Sequence, residues 1–152
     1  MTIIAWKDGV MAADTMTSTP YGIRTGFGRK IVCGTNPEKG TFVLGFSGEV
    51  ARLDSVVRWA AGVVGSDLPP SGYTALVAYS VGTLLLAEDG NAGHIDPNQP
   101  RAAGAGAELA YGALHTGASA VDAVAMCIER CIYCGGSVEF ATLDSNEVKT
   151  HG

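Results

Sequence analysis

A threonine stands at position 2, directly behind Met1. A threonine hydroxyl is a poor nucleophile until a base takes its proton. At a chain start that base is at hand, because a free α-amine has an ordinary pKa of about 8. A small residue behind Met1 is what methionine removal requires, so Thr2 is a candidate nucleophile uncovered by that removal. By residue type alone Thr2 is simply a β-former. By the same test Asp14 is a turn residue after a strand, Lys30 an edge-strand lysine and Phe46 a core side chain. The thiols carry a second possible chemistry. Cys127 and Cys131 lie four apart on an expected helix, and Cys131 and Cys134 form a CxxC, to which Cys33 or a histidine could add a zinc ligand. None of His94, His115 and His151 forms a second hook, so the thiols read as buried small hydrophobes and no metal or other cofactor is expected.

The elements that must position such residues are bounded by composition. The chain has 152 residues, 47% hydrophobic and 16% charged, which is the size of one domain and too apolar for disorder. A net charge of -5 offers no basic surface to nucleic acid. Low charge with abundant small residues suits a subunit that buries faces in an assembly. Residues 1–6 lack the basic start of a secretory signal, and Lys7 and Asp8 follow at once. The apolar run 75–87 is broken by Ser80, Gly82 and Thr83 and is too short to span a bilayer. The expectation is a soluble cytoplasmic protein with free thiols and no membrane partner.

Short β-rich runs at 2–6 and 10–13, the second ending at Asp14, are separated by a turn at Gly9. Residues 15–28 read as a loop or irregular hairpin, followed by strands at 30–33 and 41–46. Val50, Leu53, Val56, Val57, Ala60, Ala61 and Val64 recur at helical spacing, predicting a helix that stops near Gly65. A hairpin is expected from 75–79 and 83–87, then a turn at 88–91 and a polar loop to Arg101. Helices follow at 106–115 and from Ser119, the latter with Val121, Val124, Ala125 and Ile128 on one face. A strand at 133–143 and a last segment at 146–150 close the chain. Strands in adjacent runs disfavour a parallel doubly wound sheet and suit two antiparallel sheets with helices outside.

Five segments, in order, resemble the proteasome β subunits and the bacterial HslV protease. They are Thr2 to Trp6 with Asp8 to Asp14; Arg29-Lys30-Ile31; Gly45-Phe46-Ser47-Gly48; Ala102-Ala103-Gly104-Ala105-Gly106; and Tyr133-Cys134-Gly135-Gly136-Ser137-Val138. The separation of Asp14 and Lys30 matches the family's aspartate-to-lysine spacing. The resemblance implies an α+β fold, the family's four-layer αββα sandwich, in a short bacterial or phage-type member. It also implies a stacked ring or related homo-oligomer.

The implied activity is a threonine peptidase acting on peptides or unfolded proteins. Thr2 would attack a peptide carbonyl to form an acyl-enzyme, which water then hydrolyses. Lys30 would supply a nearby cation, Asp14 would fix Lys30, and the Gly48 N–H would face the oxyanion. Phe46, with Ser47 beside it, would shape the pocket for the substrate side chain preceding the cut. An unfolding ATPase partner is implied only by the likeness to HslV. Three supporting positions depart from the family. Ala105 stands where it has a serine, and Cys131 and Cys134 stand where it has an aspartate and a serine. Alanine cannot replace those hydrogen bonds, and a thiol does so weakly. The family's second long helix has no room between 65 and 75, so it should be shortened or missing. The alternative reading on this fold is a non-catalytic ring-forming or partner-binding subunit.

Overall fold

The computed structural model describes residues 2–19 and 23–151, so the expected removal of Met1 falls outside the described residues. Along the chain run β1 (Ile3–Lys7), β2 (Val10–Asp14), β3 (Met16–Ser18), β4 (Arg24–Phe27), β5 (Ile31–Asn36) and β6 (Gly40–Gly48). A 3₁₀ turn (Val50–Arg52) leads into α1 (Leu53–Ala60), followed by β7 (Tyr73–Tyr79), β8 (Leu84–Glu88), β9 (Asn91–Ile95) and β10 (Arg101–Gly104). Then come α2 (Ala107–His115), α3 (Ala120–Arg130), β11 (Val138–Thr142) and β12 (Lys149–His151).

Two five-stranded sheets result, in the orders β10-β1-β2-β11-β12 and β5-β6-β7-β8-β9, while β3 and β4 pair as a separate hairpin. All pairings are antiparallel. The β1–β2 hairpin closes through Asp8 and Gly9, both at positive φ (51° and 79°), a turn whose twist matches that of the strands. β1 is apolar on both faces because both are covered. Ile3 and Ala5 pack with Leu114, Val124 and Cys127 of the helices. Ile4 and Trp6 pack with Ile31, Val43 and Leu76 of the other sheet. On the far side of that second sheet, Phe42, Leu44, Phe46 and Val77 receive Val56 and Ala60 of α1.

Several boundaries differ from those expected. The first helix does not continue to Gly65 but ends at Ala60, and Val64 is 98% exposed. The cause is tertiary: the Ala60 carbonyl accepts from Tyr79 Oη (2.8 Å) and Asn36 Nδ2 (3.0 Å). Gly62 then turns the chain at φ 74°. No helix occupies residues 61–72. The loop expected up to Arg101 instead contains β9 and β10. Asp89 and Gly90, at φ 50° and 77°, form the same kind of tight hairpin turn as Asp8 and Gly9, and such a turn requires a returning strand. The strand expected at 133–143 shortens to β11, and the one at 146–150 becomes β12. Ser119 caps α3 as expected, accepting from Asp122 N at 3.1 Å. The fully buried face of α3 is Ala120, Ala123, Val124 and Cys127, rotated from the one read in the sequence.

Candidate active site

Thr2 immediately precedes β1, Asp14 is the last residue of β2, and Lys30 immediately precedes β5 in the opposite sheet. The stacking of the sheets therefore brings the cation to the two residues from the first hairpin. All three side chains are buried, at 1%, 0% and 7% exposure. Burial of an unpaired charge would be strongly unfavourable, so the partners matter.

The partners are complete. Lys30 Nζ donates to Asp14 Oδ1 at 2.8 Å, to the Thr2 hydroxyl and to the Met16 carbonyl, using all three of its N–H bonds. The Thr2 hydroxyl in turn donates to Asp14 Oδ1. Asp14 also accepts the backbone N–H of Ile3 at 3.2 Å and, on its other oxygen, that of Gly135 at 3.0 Å. The Thr2 oxygen thus sits between a cation and a carboxylate, with its proton directed at the latter. Desolvation pulls the Lys30 pKa below the ordinary lysine value, and the charge and hydrogen bond of Asp14 oppose that shift.

Thr2 opens onto a cleft of about 430 Å³, lined by Lys30, Gly48, Phe46, Leu53, Met16 and polar groups of the β3–β4 hairpin. Phe46 lies stacked on Tyr73, centroids 6.3 Å apart, which holds the ring in place at the cleft wall. Gly48 has φ 142°, and a Cβ there would collide with the backbone of Gly72 and Tyr73, so only glycine fits. Ser47 points to the opposite side of β6, where its hydroxyl lies against Gly104 and does not line the cleft. Gly104 itself has φ 106°, and a Cβ on it would run into the Thr2 carbonyl.

Of the three supporting positions, Ala105 is exposed in the turn before α2 and Cys131 is half-buried at the end of α3. Cys134 is 4% exposed. Burial, then the negative charge of Asp14, push the Cys134 thiol far above the ordinary range, so it stays protonated beside Lys30 and Asp14. Cys127 donates to the Gly106 carbonyl at 3.4 Å, and burial pushes its pKa up to about 11. No group of three or more His, Cys, Asp or Glu side chains is arranged to hold a metal among the described residues.

Two participants were not singled out from the sequence. Gly135 gives its N–H to Asp14 and its carbonyl to the N–H groups of Thr15 (3.3 Å) and Met16 (3.1 Å). Met16 contributes a carbonyl to Lys30 and a side chain to the cleft. The Gly135-Gly136 pair was a usable signal for the first. A backbone carbonyl acting as acceptor leaves no mark on residue type, so the second had none.

No protein-family model and no curated protein matches the sequence. The structure is similar to that of the Anbu (Gly-1) mutant from Hyphomicrobium sp. strain MC1. The TM-score is 0.73 at 13% identity, covering 98% of this chain and 85% of that one. It is also similar to Thiobacillus denitrificans BPH in complex with epoxomicin. There the TM-score is 0.66 at 16% identity, covering 99% of this chain and 98% of that one. At such identities the likeness shows the fold alone, the mixed α/β fold that this chain shares with those two proteins. No helix among the described residues is long and apolar enough to cross a membrane.

Proposed function

We propose that this chain is a threonine-type peptidase that cleaves peptide bonds through an acyl-enzyme on Thr2 after Met1 is removed. The observation that carries the reading is the buried Thr2 hydroxyl held between Lys30 and Asp14 at the edge of an open cleft. With Met1 gone, the Thr2 α-amine takes the hydroxyl proton, and the adjacent Lys30 charge keeps that amine neutral. The Thr2 oxygen bonds to the substrate carbonyl carbon while the Gly48 N–H stabilises the oxyanion. The C–N bond then breaks, the leaving amine takes the proton, and water hydrolyses the resulting ester. Phe46 and Leu53 receive the side chain preceding the cut, and the bulk of Phe46 limits its depth.

The three apolar clusters support a single domain built as a four-layer αββα sandwich that lacks the second helix. On the same reading the chain works in the cytoplasm as a homo-oligomeric ring on peptides or unfolded proteins supplied by an unfolding ATPase. A second reading, a non-catalytic ring-forming or partner-binding subunit, draws on Ala105 and Cys134, which leave the surroundings of Thr2 short of hydroxyl partners.

Intact-mass measurement before and after exposure to a peptide epoxyketone separates the two. The peptidase reading requires a mass lacking methionine, a stoichiometric adduct on Thr2, and no adduct in Thr2→Ala. A fully retained Met1 with no adduct overturns it and leaves the scaffold reading, under which Thr2→Ala and Lys30→Ala assemble as the parent does.

A further inference from the structure

We propose that Cys131 and Cys134 form a reversible disulfide under hydrogen peroxide, and that this bond controls the placement of Asp14. The two residues are joined by a turn in which Cys134 N donates to the Cys131 carbonyl at 3.1 Å. An i→i+3 turn holds its end Cα atoms within about 7 Å, the limit beyond which a disulfide cannot close. Neither thiol is bonded to another cysteine. Their exposures differ in a useful way. Cys131 is half-buried and open to a small oxidant, whereas Cys134 is sealed behind β1, its sulfur packed against Gly106.

The Cys131 sulfur attacks one peroxide oxygen, the O–O bond breaks, and one water leaves once protonated, giving a sulfenic acid. The Cys134 thiol, protonated at rest, loses its proton as its sulfur attacks the Cys131 sulfur, which makes this the slow step. The S–S bond forms, the S–O bond breaks, and the proton of Cys134 leaves with the second water. Two thiols lose two electrons and the peroxide gains them. A low-molecular-weight thiol reverses the change by exchange.

The coupling to the site is covalent and short. The peptide group joining Cys134 to Gly135 carries the N–H that binds Asp14 Oδ2 at 3.0 Å. The Gly135 carbonyl binds Thr15 and Met16, and the Met16 carbonyl binds Lys30. Drawing Cys134 toward Cys131 therefore displaces the donor that orients Asp14 and, through Met16, an acceptor of Lys30. The disulfide is independent of the peptidase reading, and only its effect on Thr2 labelling rests on that reading.

The test exposes the reduced full chain to hydrogen peroxide. Peptide mapping with differential alkylation is expected to show loss of two hydrogens within 131–134, reversed by dithiothreitol. The bond should be retained in Cys33→Ser and abolished in Cys131→Ser. The Gly135 amide NMR resonance is expected to move between the two states, and epoxyketone labelling of Thr2 to slow on the order of tenfold or more on oxidation, as ångström-scale misplacement at a reacting centre does. A disulfide mapped to Cys127, or no disulfide, overturns the proposal. An unmoved Gly135 amide overturns the coupling to Asp14. Absence of labelling in the reduced protein counts against the peptidase reading and leaves the mapping and NMR results decisive for this one.

Discussion

Gly135 donates its backbone N–H to Asp14 Oδ2 at 3.0 Å across 121 residues of chain. With it, Asp14 accepts from two backbone amides, a lysine and a hydroxyl while fully buried. A carboxylate that satisfied is a fixed point around which Lys30 and Thr2 are set. Its removal and that of its cation should therefore have unequal and testable effects.

Lys30→Met leaves Asp14 charged and without its counter-ion, and breaking one side of a buried pair costs about 3–5 kcal/mol. Asp14→Asn added to Lys30→Met removes the stranded charge and should restore part of that loss. Urea unfolding of the parent, both single variants and the double variant measures the coupling. Additive effects would show that the pair does not act as a unit.

Gly48→Ala forces a Cβ into the backbone of Gly72 and Tyr73 at a φ of 142°. A strained backbone position costs about 1–3 kcal/mol, and here relief requires moving the strand end that lines the cleft. Both the melting temperature and the rate of Thr2 labelling should fall. A variant that melts lower but labels at the parental rate would remove Gly48 from the oxyanion role.

Tyr79 is pushed up to about 12 by burial, and its hydroxyl donates to the Ala60 carbonyl. The folded-state value exceeds the unfolded one of about 10, so the contribution is intact below pH 10 and is lost as pH rises through 12. At 1.36 kcal/mol per unit, up to about 3 kcal/mol disappears across that window. Cys127 titrates upward as well, so the relevant comparison is the parent with Tyr79→Phe. The variant should be about 1 kcal/mol less stable at pH 8 and lose less on going to pH 12, as read by urea midpoints.

Leu76 is 1% exposed and projects between the two sheets with Ile4 and Val43. Leu76→Ala should cost about 2–5 kcal/mol through the cavity it opens. Because Leu76 lines no part of the cleft, Thr2 labelling under native conditions should persist. Loss of labelling without unfolding would mean that the sheet interface itself positions Thr2 and Lys30.

The pieces whose causes are local were legible in the order of the residues. Paired positive-φ turns, the Ser119 cap and unbroken apolar strands are properties of neighbouring residues, and they emerge where the residue types require them. The family-like spacing of Thr2, Asp14 and Lys30 was legible too, because all three stand at strand ends. The rest depends on how the chain packs on itself. The first helix ends at Ala60 because Tyr79 and Asn36 hold that carbonyl, overriding a periodicity that runs on to Val64. Asn91 to Ile95 forms a strand where a loop was expected, because the Asp89-Gly90 turn returns the chain to the open edge of β8. Ser47 left the cleft because strand alternation turned it toward Gly104. The parts played by Gly135 and Met16 rest on backbone groups, which every residue carries and no residue type announces.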